Sequence, residues 1–448
     1  MLASCRTEDE GFAVPKFDLV REDVEGFMDA LRGFHEQFRH CFSRSEPREH
    51  FFNYMVGQFS PLERKSIEPM ALHIEGGNVR GMQRFISELT WQDEAMLRTY
   101  RGLVAQDLGD SQGVMIVDET GFSKKGNDSV GVARQYCGPL GKVDNCQVGV
   151  FAAYASRYGY ALVDKRLFMP QKWFSDAYTK RRETCQVPRE VAFESKPTLA
   201  KEMLETIRHE GQLPFRYIVA DSLYGNSPEF LEALDGFIGV TSLVAVPATP
   251  RCWLQRPVTQ EKRYRYKGQK HAKRVVAATA QEPSTVKALA ETMHPYFWYR
   301  RTVSEGTKGP ITYEFARRRV TLCKDDLPWK TYWLVLKRTV GAEPTYSYYL
   351  SNAPESTPLS VFVWLRGMRW AIEQCFEETK TELGMAHYEV RKYAGWHHHM
   401  MTCMLAHFFL WHLQIQLGKK STRAYGITSE TLIIGDLTAE NVHHRRCS

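Results

Sequence analysis

The chain is 448 residues long and 43% hydrophobic, enough to bury a large core and to build two or three folded units. Its formal net charge of +7 suits a polyanionic partner and equally an ordinary solvated surface. Ten scattered cysteines without a Cys-x-x-Cys pair argue against a disulfide scaffold and fit reduced thiols in a cytosol.

The N-terminal segment Met1 to Lys16 carries Glu8, Asp9 and Glu10 and lacks the basic flank and apolar core of a signal peptide. Residues 17–106 read as helical, with apolar side chains at three-to-four spacing in Val24-Phe27-Met28-Leu31 and Met82-Phe85-Ile86-Leu89. Ser60-Pro61 and Gly76-Gly77-Asn78 cut this pattern into short helices. The turn before the helix bearing Arg80, Gln83 and Arg84 resembles that of a helix-turn-helix DNA-binding domain; a helical cap on the next domain fits the same residues equally.

Residues 107–246 hold predicted strands at Val114 to Val117, Cys146 to Ala155, Ala161 to Phe168, Tyr217 to Ala220 and Val240 to Val246, with a helical segment at Lys196 to Glu210. That pattern indicates an α/β core. Residues 247–358 change to Pro-rich turns and strands at Arg318 to Cys323, Tyr332 to Lys337 and Tyr346 to Leu350, the pattern of a β-rich insertion. Helical periodicity returns over 359–418, from Leu359 to Leu383 and from His397 to Leu417. The most apolar stretch, Met400 to Leu417, is interrupted by His407, His412, Gln414 and Gln416, which predicts a buried helix rather than a membrane span. The tail 419–448 shows no usable pattern.

Three carboxylates carry the chemical argument. Asp118 ends an apolar strand and is followed by a glycine-bounded basic turn containing Lys124 and Lys125; Asp221 ends a second such strand; Glu373 sits on an amphipathic helix. Two divalent ions roughly 3.5–4 Å apart can activate a water or hydroxyl and stabilise the leaving oxygen of a phosphodiester. Oxygen ligands of this kind suit Mg²⁺, with Mn²⁺ as a substitute. A single strand-end Asp more often caps a turn or helix, so the weight lies in the set.

Other chemistries find less support. The run Val114 to Glu119 also resembles the magnesium-binding strand of a P-loop nucleotidase, yet the chain has no Gly-x-x-x-x-Gly-Lys-Ser/Thr loop. It has no Gly-x-Ser-x-Gly elbow for a serine hydrolase. His397, His398 and His399 point in different directions on a helix and, even with His387, lack cysteines at ligand spacing, so solvated or phosphate-facing imidazoles are expected rather than zinc. The segment Arg251 to Arg274 interleaves Lys262, Arg263, Arg265 and Lys267 with Tyr264 and Tyr266, a composition for a DNA-contacting loop, with a solvated basic hairpin as the plainer alternative.

Over most of its length the chain resembles the bacterial insertion-sequence transposases of the DDE class, in the family 701 group related to the family-four superfamily. The resemblance rests on Asp118-Glu119-Thr120-Gly121-Phe122-Ser123-Lys124-Lys125-Gly126, Arg134-Gln135-Tyr136-Cys137-Gly138, Ala220-Asp221-Ser222-Leu223-Tyr224-Gly225 and Arg369-Trp370-Ala371-Ile372-Glu373, in that order. It implies an RNase H-like catalytic core interrupted by the β-rich insertion and preceded by the helical DNA-binding domain. It also implies that Asp118, Asp221 and Glu373 are the catalytic metal ligands. Arg369, Glu373 and Lys380 occupy three places of a Tyr-Arg-Glu-Lys signature, and Arg366 stands where the Tyr would be. That departure bears on a DNA-hairpin intermediate, not on the metal chemistry.

The spacing of Arg369, Glu373 and Lys380 puts them on one helical face, where the cations can grip phosphates; Glu377 shares that face. The expected enzyme binds terminal inverted repeats and target DNA as a homodimer, cleaves DNA and joins the 3′-hydroxyl ends to the target. It works in the bacterial cytoplasm, nucleoid-associated when on DNA. Its expected DNA contacts are Arg369, Lys380, Lys124, Lys125, Arg80, Gln83, Arg84, Lys262, Arg263, Arg265 and Lys267. A domesticated DNA-binding regulator and a stand-alone metal-dependent nuclease are the alternatives.

Overall fold

The computed structural model describes residues 26–267, 269–306 and 309–418; the segment Met1 to Lys16, Val24 of the first helical pattern, and the tail 419–448 lie outside the described residues. The protein is a mixed α/β structure with a large mixed sheet. Its backbone falls into two units, one made of residues 114–116 with 215–370, the other containing 26–113, 117–214 and 371–418.

In the second of these, the helix Tyr393–Gly418 is apolar on nearly every side and is correspondingly buried. The helices Phe27–Glu36, Ser45–Gln58, Val79–Ser87 and Asp93–Leu108 pack around it. Phe27 and Phe34 meet Phe409 edge-on or tilted at 5.4 and 5.3 Å. Each buried phenylalanine contributes about 2–3 kcal/mol by removal from water, so the N-terminal helices draw much of their stability from a helix over 300 residues later. The predicted breaks hold: Ser45–Gln58 stops just before Ser60-Pro61, and Asn78 caps Val79–Ser87 by accepting from the Gly81 amide.

The expected strand at Val114 to Val117 is the start of β1, Val114–Ser123. β2 (Ala133–Cys137), β3 (Lys142–Ser156) and β4 (Gly159–Phe168) follow, antiparallel to one another in sequence order, with β3 beside β1. The helix Lys196–Glu210, with the bounds expected from the sequence, covers β3 and β4. Arg101 joins the helix Asp93–Leu108 to this layer. It is almost wholly buried and pairs with Asp164 at 2.6 Å and Glu210 at 2.8 Å. A buried guanidinium requires such partners, because removal of either leaves an uncompensated charge.

The other unit is built on the rest of the sheet. β5 (Tyr217–Ala220) lies beside the first residues of β1 and runs parallel to β6 (Thr241–Val246). β7 (Arg251–Trp253) precedes a separate two-stranded ribbon, β8 (Thr259–Tyr266) with β9 (Gln269–Val276). β10 (Ser284–Thr285), β11 (Tyr299–Gly306), β12 (Gly309–Lys324), β13 (Leu327–Thr339) and β14 (Tyr346–Ser351) complete it. β14 pairs antiparallel with β6, so the β-rich stretch continues the same sheet outward through β13, β12, β7 and β10. The helix Leu359–Met368 packs on β5, β6 and β12, with the Trp364 ring 5.2 Å from Tyr217.

Two expectations change here. The single helix expected from Leu359 to Leu383 is two, Leu359–Met368 and Trp370–Thr381, with Arg369 between them. Gly367 in the last turn of the first weakens helical continuation at that point. The histidine run is not solvated. His398 and His399 are buried, His399 Nδ1 lying 2.8 Å from the Tyr54 hydroxyl and His398 Nδ1 2.8 Å from the Ile86 carbonyl. Trp91 stacks flat on His398 at 4.0 Å. Burial pushes the His399 imidazole down to about 3, so it is neutral at physiological pH.

Candidate active site

The apolar residues Val114–Val117 are fully buried and carry the strand outward to Asp118, whose carboxylate accepts a hydrogen bond from the Glu119 amide at 2.9 Å. Glu119, the next residue, is half-buried and paired with Lys196 at 2.9 Å. Lys196 comes from the first turn of the helix Lys196–Glu210, which Ser195 caps and Pro197 helps to start. Nothing local in the sequence announces this pair, because its members are 77 residues apart.

Asp221 directly follows β5, the neighbour of β1. It also performs the capping role open to any strand-end aspartate: its Oδ1 accepts from the Leu223 amide at 2.9 Å and starts the short helix Ser222–Gly225. Gly225 lets that helix lie against β6. A Cβ there would fall 1.9 Å from the Ala245 carbonyl oxygen. The Asp221-to-Gly225 motif thus joins a carboxylate, its cap and the one residue small enough to seat the cap.

Among the described residues, the acidic side chains that qualify as metal ligands are Asp118, Glu119 and Asp221. All are oxygen donors, a set suited to a hard divalent ion. Glu373 is not among them; it is exposed in the first turn of the helix Trp370–Thr381. That helix is fastened to β1 by Lys380, whose ammonium donates to Thr120 Oγ1 at 2.5 Å and to the Gly121 carbonyl at 3.2 Å. The anchor is two residues past Asp118, and Glu373 lies about 10 Å back along the helix from Lys380. Glu377 is exposed, whereas Glu378 accepts from Tyr160, Gln374 and His407. Burial raises the Glu378 carboxyl, and the His407 bond and its companions outweigh that and hold it below its ordinary value.

The basic residues fall into two groups. Lys380 and Lys124 are turned inward, Lys124 lying 3.4 Å over the Tyr388 ring and donating to the Tyr388 carbonyl at 3.0 Å. Burial brings each ammonium down to about 8. Lys125, Arg80, Gln83, Arg84, Lys262, Arg263, Arg265 and Lys267 are exposed. Arg369 is half-buried at the helix break, and the Arg366 guanidinium lies 5.6 Å from the Tyr313 ring centre. Met82, Phe85 and Ile86 form the buried face of Val79–Ser87, leaving Arg80, Gln83 and Arg84 on the outer one. In the β8–β9 ribbon Lys262 stands opposite Lys273 and Arg265 opposite Lys270. Like charges placed directly across a ladder repel, and a polyanion relieves that repulsion.

A family model described as DDE superfamily endonuclease matches residues 37–310, more than half of the chain and a span that includes Asp118 and Asp221. The chain belongs to this family. It is also 27% identical over 350 residues to a protein of Microchaete diplosiphon described as a probable transposase for insertion sequence element IS701, across 76% of this chain and 77% of that one. The enzyme is accordingly a transposase of the DDE type. DDE nucleases use divalent metals, and among the described residues Asp118, Glu119 and Asp221 are acidic side chains suited to one. No helix among the described residues is long and apolar enough to cross a membrane.

Proposed function

We propose that this transposase binds the terminal inverted repeats of its element, cleaves DNA there, and joins the freed 3′-hydroxyl ends to target DNA through an RNase H-like core. Asp118 and Asp221 are the principal metal ligands, and Glu373 completes the set. The observation that carries this reading is topological. Asp221 leaves the end of β5, and Asp118 stands two residues beyond Ile116 on β1, the strand beside it. When bound, Mg²⁺ or Mn²⁺ supplies activation of the attacking oxygen and stabilisation of the leaving one.

The chain's own residues do the rest. Lys196 compensates the charge of Glu119, which favours Asp118 and Asp221 as the main ligands. Lys380 is a positioning residue that ties the Glu373 helix to β1. Lys125 and Arg369 hold DNA phosphates, the β8–β9 ribbon holds the cleaved DNA near the metal site without reading its sequence, and Arg80, Gln83 and Arg84 read the repeats. Two ends and one target call for a homodimer on DNA.

Asp118→Asn, Asp221→Asn and Glu373→Gln each remove a ligand charge while keeping shape, and each should abolish cleavage and strand transfer yet retain binding to end-containing DNA. Near-normal cutting by all three variants sinks the assignment. Cleavage without joined products in the parent protein points to a plain nuclease.

A further inference from the structure

A second chemically distinctive place, lined by neither Asp118, Asp221 nor Glu373, lies in the unit that carries the long β12–β13 pair. There a cavity of about 520 Å³ opens among Asp235, Arg256, Arg319, Trp329, Lys330 and Asn352. Its volume is within the range that small ligands occupy. Three of these side chains are cations and one is an anion.

The hydrogen bonds decide what the cavity offers. Asp235 Oδ2 already accepts from both Lys330 Nζ and the Tyr332 hydroxyl, each at 2.8 Å, so that oxygen is engaged from inside the wall and the Lys330 ammonium offsets the charge of the one acid. Arg256 is braced by the Trp329 and Pro328 carbonyls at 2.7 and 3.2 Å, which also occupies those acceptors. Arg319 has an exposed glutamate, Glu355, only at 3.9 Å. Asn352 gives its Oδ1 to the Ser242 amide at 2.7 Å, so what remains of its amide is the two-proton donor. A cavity whose one acid is paired with a lysine and whose other charged and amide groups are guanidinium and amide donors has the chemistry of an oxyanion site.

We propose that this cavity holds the phosphate group of a nucleotide unit between Arg256 and Arg319. The phosphate belongs either to the DNA backbone or to a free nucleotide. The inference does not rest on the catalytic assignment, since it involves none of Asp118, Asp221 and Glu373.

The test uses the full chain without metal, so that nothing is cut. Anisotropy of labelled duplex DNA is titrated between about 50 and 200 mM salt for the parent, for Arg256→Gln/Arg319→Gln, and for Thr331→Glu, which adds a negative charge at the cavity rim. Calorimetry follows thymidine monophosphate and inorganic phosphate on the same proteins. For a backbone phosphate, both variants flatten the log–log salt slope by about 0.9, the value of one lost contact, and Arg256→Lys/Arg319→Lys restores it. For a free nucleotide, the slopes stay equal, while the parent binds the monophosphate and both variants lose it at least tenfold. Equal slopes together with equal or absent monophosphate binding overturn the proposal. Thr331→Glu keeps the test decisive should the double Gln variant fail to fold.

Discussion

Replacing Gly225 by alanine tests how the fold holds Asp221. The new Cβ would sit 1.9 Å from the Ala245 carbonyl oxygen and 2.9 Å from Val244 Cγ1, and Cβ contacts under 3.0 Å are essentially never found. Both obstacles belong to β6, whose backbone is fixed by pairing to β5 on one side and β14 on the other. The helix Ser222–Gly225 is therefore the part that must move, by about 1.1 Å or more. It cannot move alone, because the Gly225 amide donates to the Asp221 carbonyl at 3.1 Å and the Asp221 carboxylate caps the same helix. Displacement of a reacting group by about 1 Å lowers rate on the order of 100-fold, and overpacking of this kind lowers stability by about 1–3 kcal/mol. Cleavage of end-containing DNA with saturating Mg²⁺ measures the first effect and urea unfolding the second. A Gly225→Ala enzyme that cuts at the parent rate refutes either the catalytic role of Asp221 or the rigidity of its seat; normal stability as well would point to the seat.

Neutralising Lys262, Arg263, Arg265 and Lys267 in the β8–β9 ribbon should weaken binding about equally on specific and unrelated DNA, flattening the salt slope by about 0.9 per lost phosphate contact; salt titrations showing an unchanged slope make the ribbon a solvated surface. Alanine at Arg80, Gln83 and Arg84 together should remove preference for the element ends while sparing general DNA affinity, and competition binding that still selects the ends assigns reading elsewhere. Burial brings Lys65 from 10.5 down to about 8, opposed by Glu382 and Cys403. Between those values the unfolded chain keeps the proton and the folded chain has released it, so stability rises with pH across that window, by up to about 3 kcal/mol from this residue. Lys65→Met should lose that part of the rise in urea unfolding at pH 7.5 and 10; an identical rise in both proteins rejects the linkage.

Much of this protein is determined by signals a few residues long. Alternation and apolar runs marked β1, β3, β4, β5 and β6, and the helical segment Lys196 to Glu210 was read with the bounds the structure gives it. Asp221 was legible for the same reason, since a strand, a carboxylate and a turn are contiguous there; Asp118, read as ending its strand, lies within β1, which runs on through Gly121 to Ser123. What depended on distant partners was not. His398 and His399 carry no local mark of burial; the Ile86 carbonyl and Tyr54 that receive them are 312 and 345 residues away. The Lys196–Glu119 and Lys380–Thr120 contacts, and the attachment of the β-rich stretch to β6 through β14, likewise arise only when the chain closes on itself. The same holds for the N-terminal helices: their apolar faces could be read from spacing, but a periodic pattern says that a face is covered and not by what. Tertiary structure alone decided that the cover is Tyr393–Gly418, because which apolar faces meet is set by topology and packing rather than by any local preference.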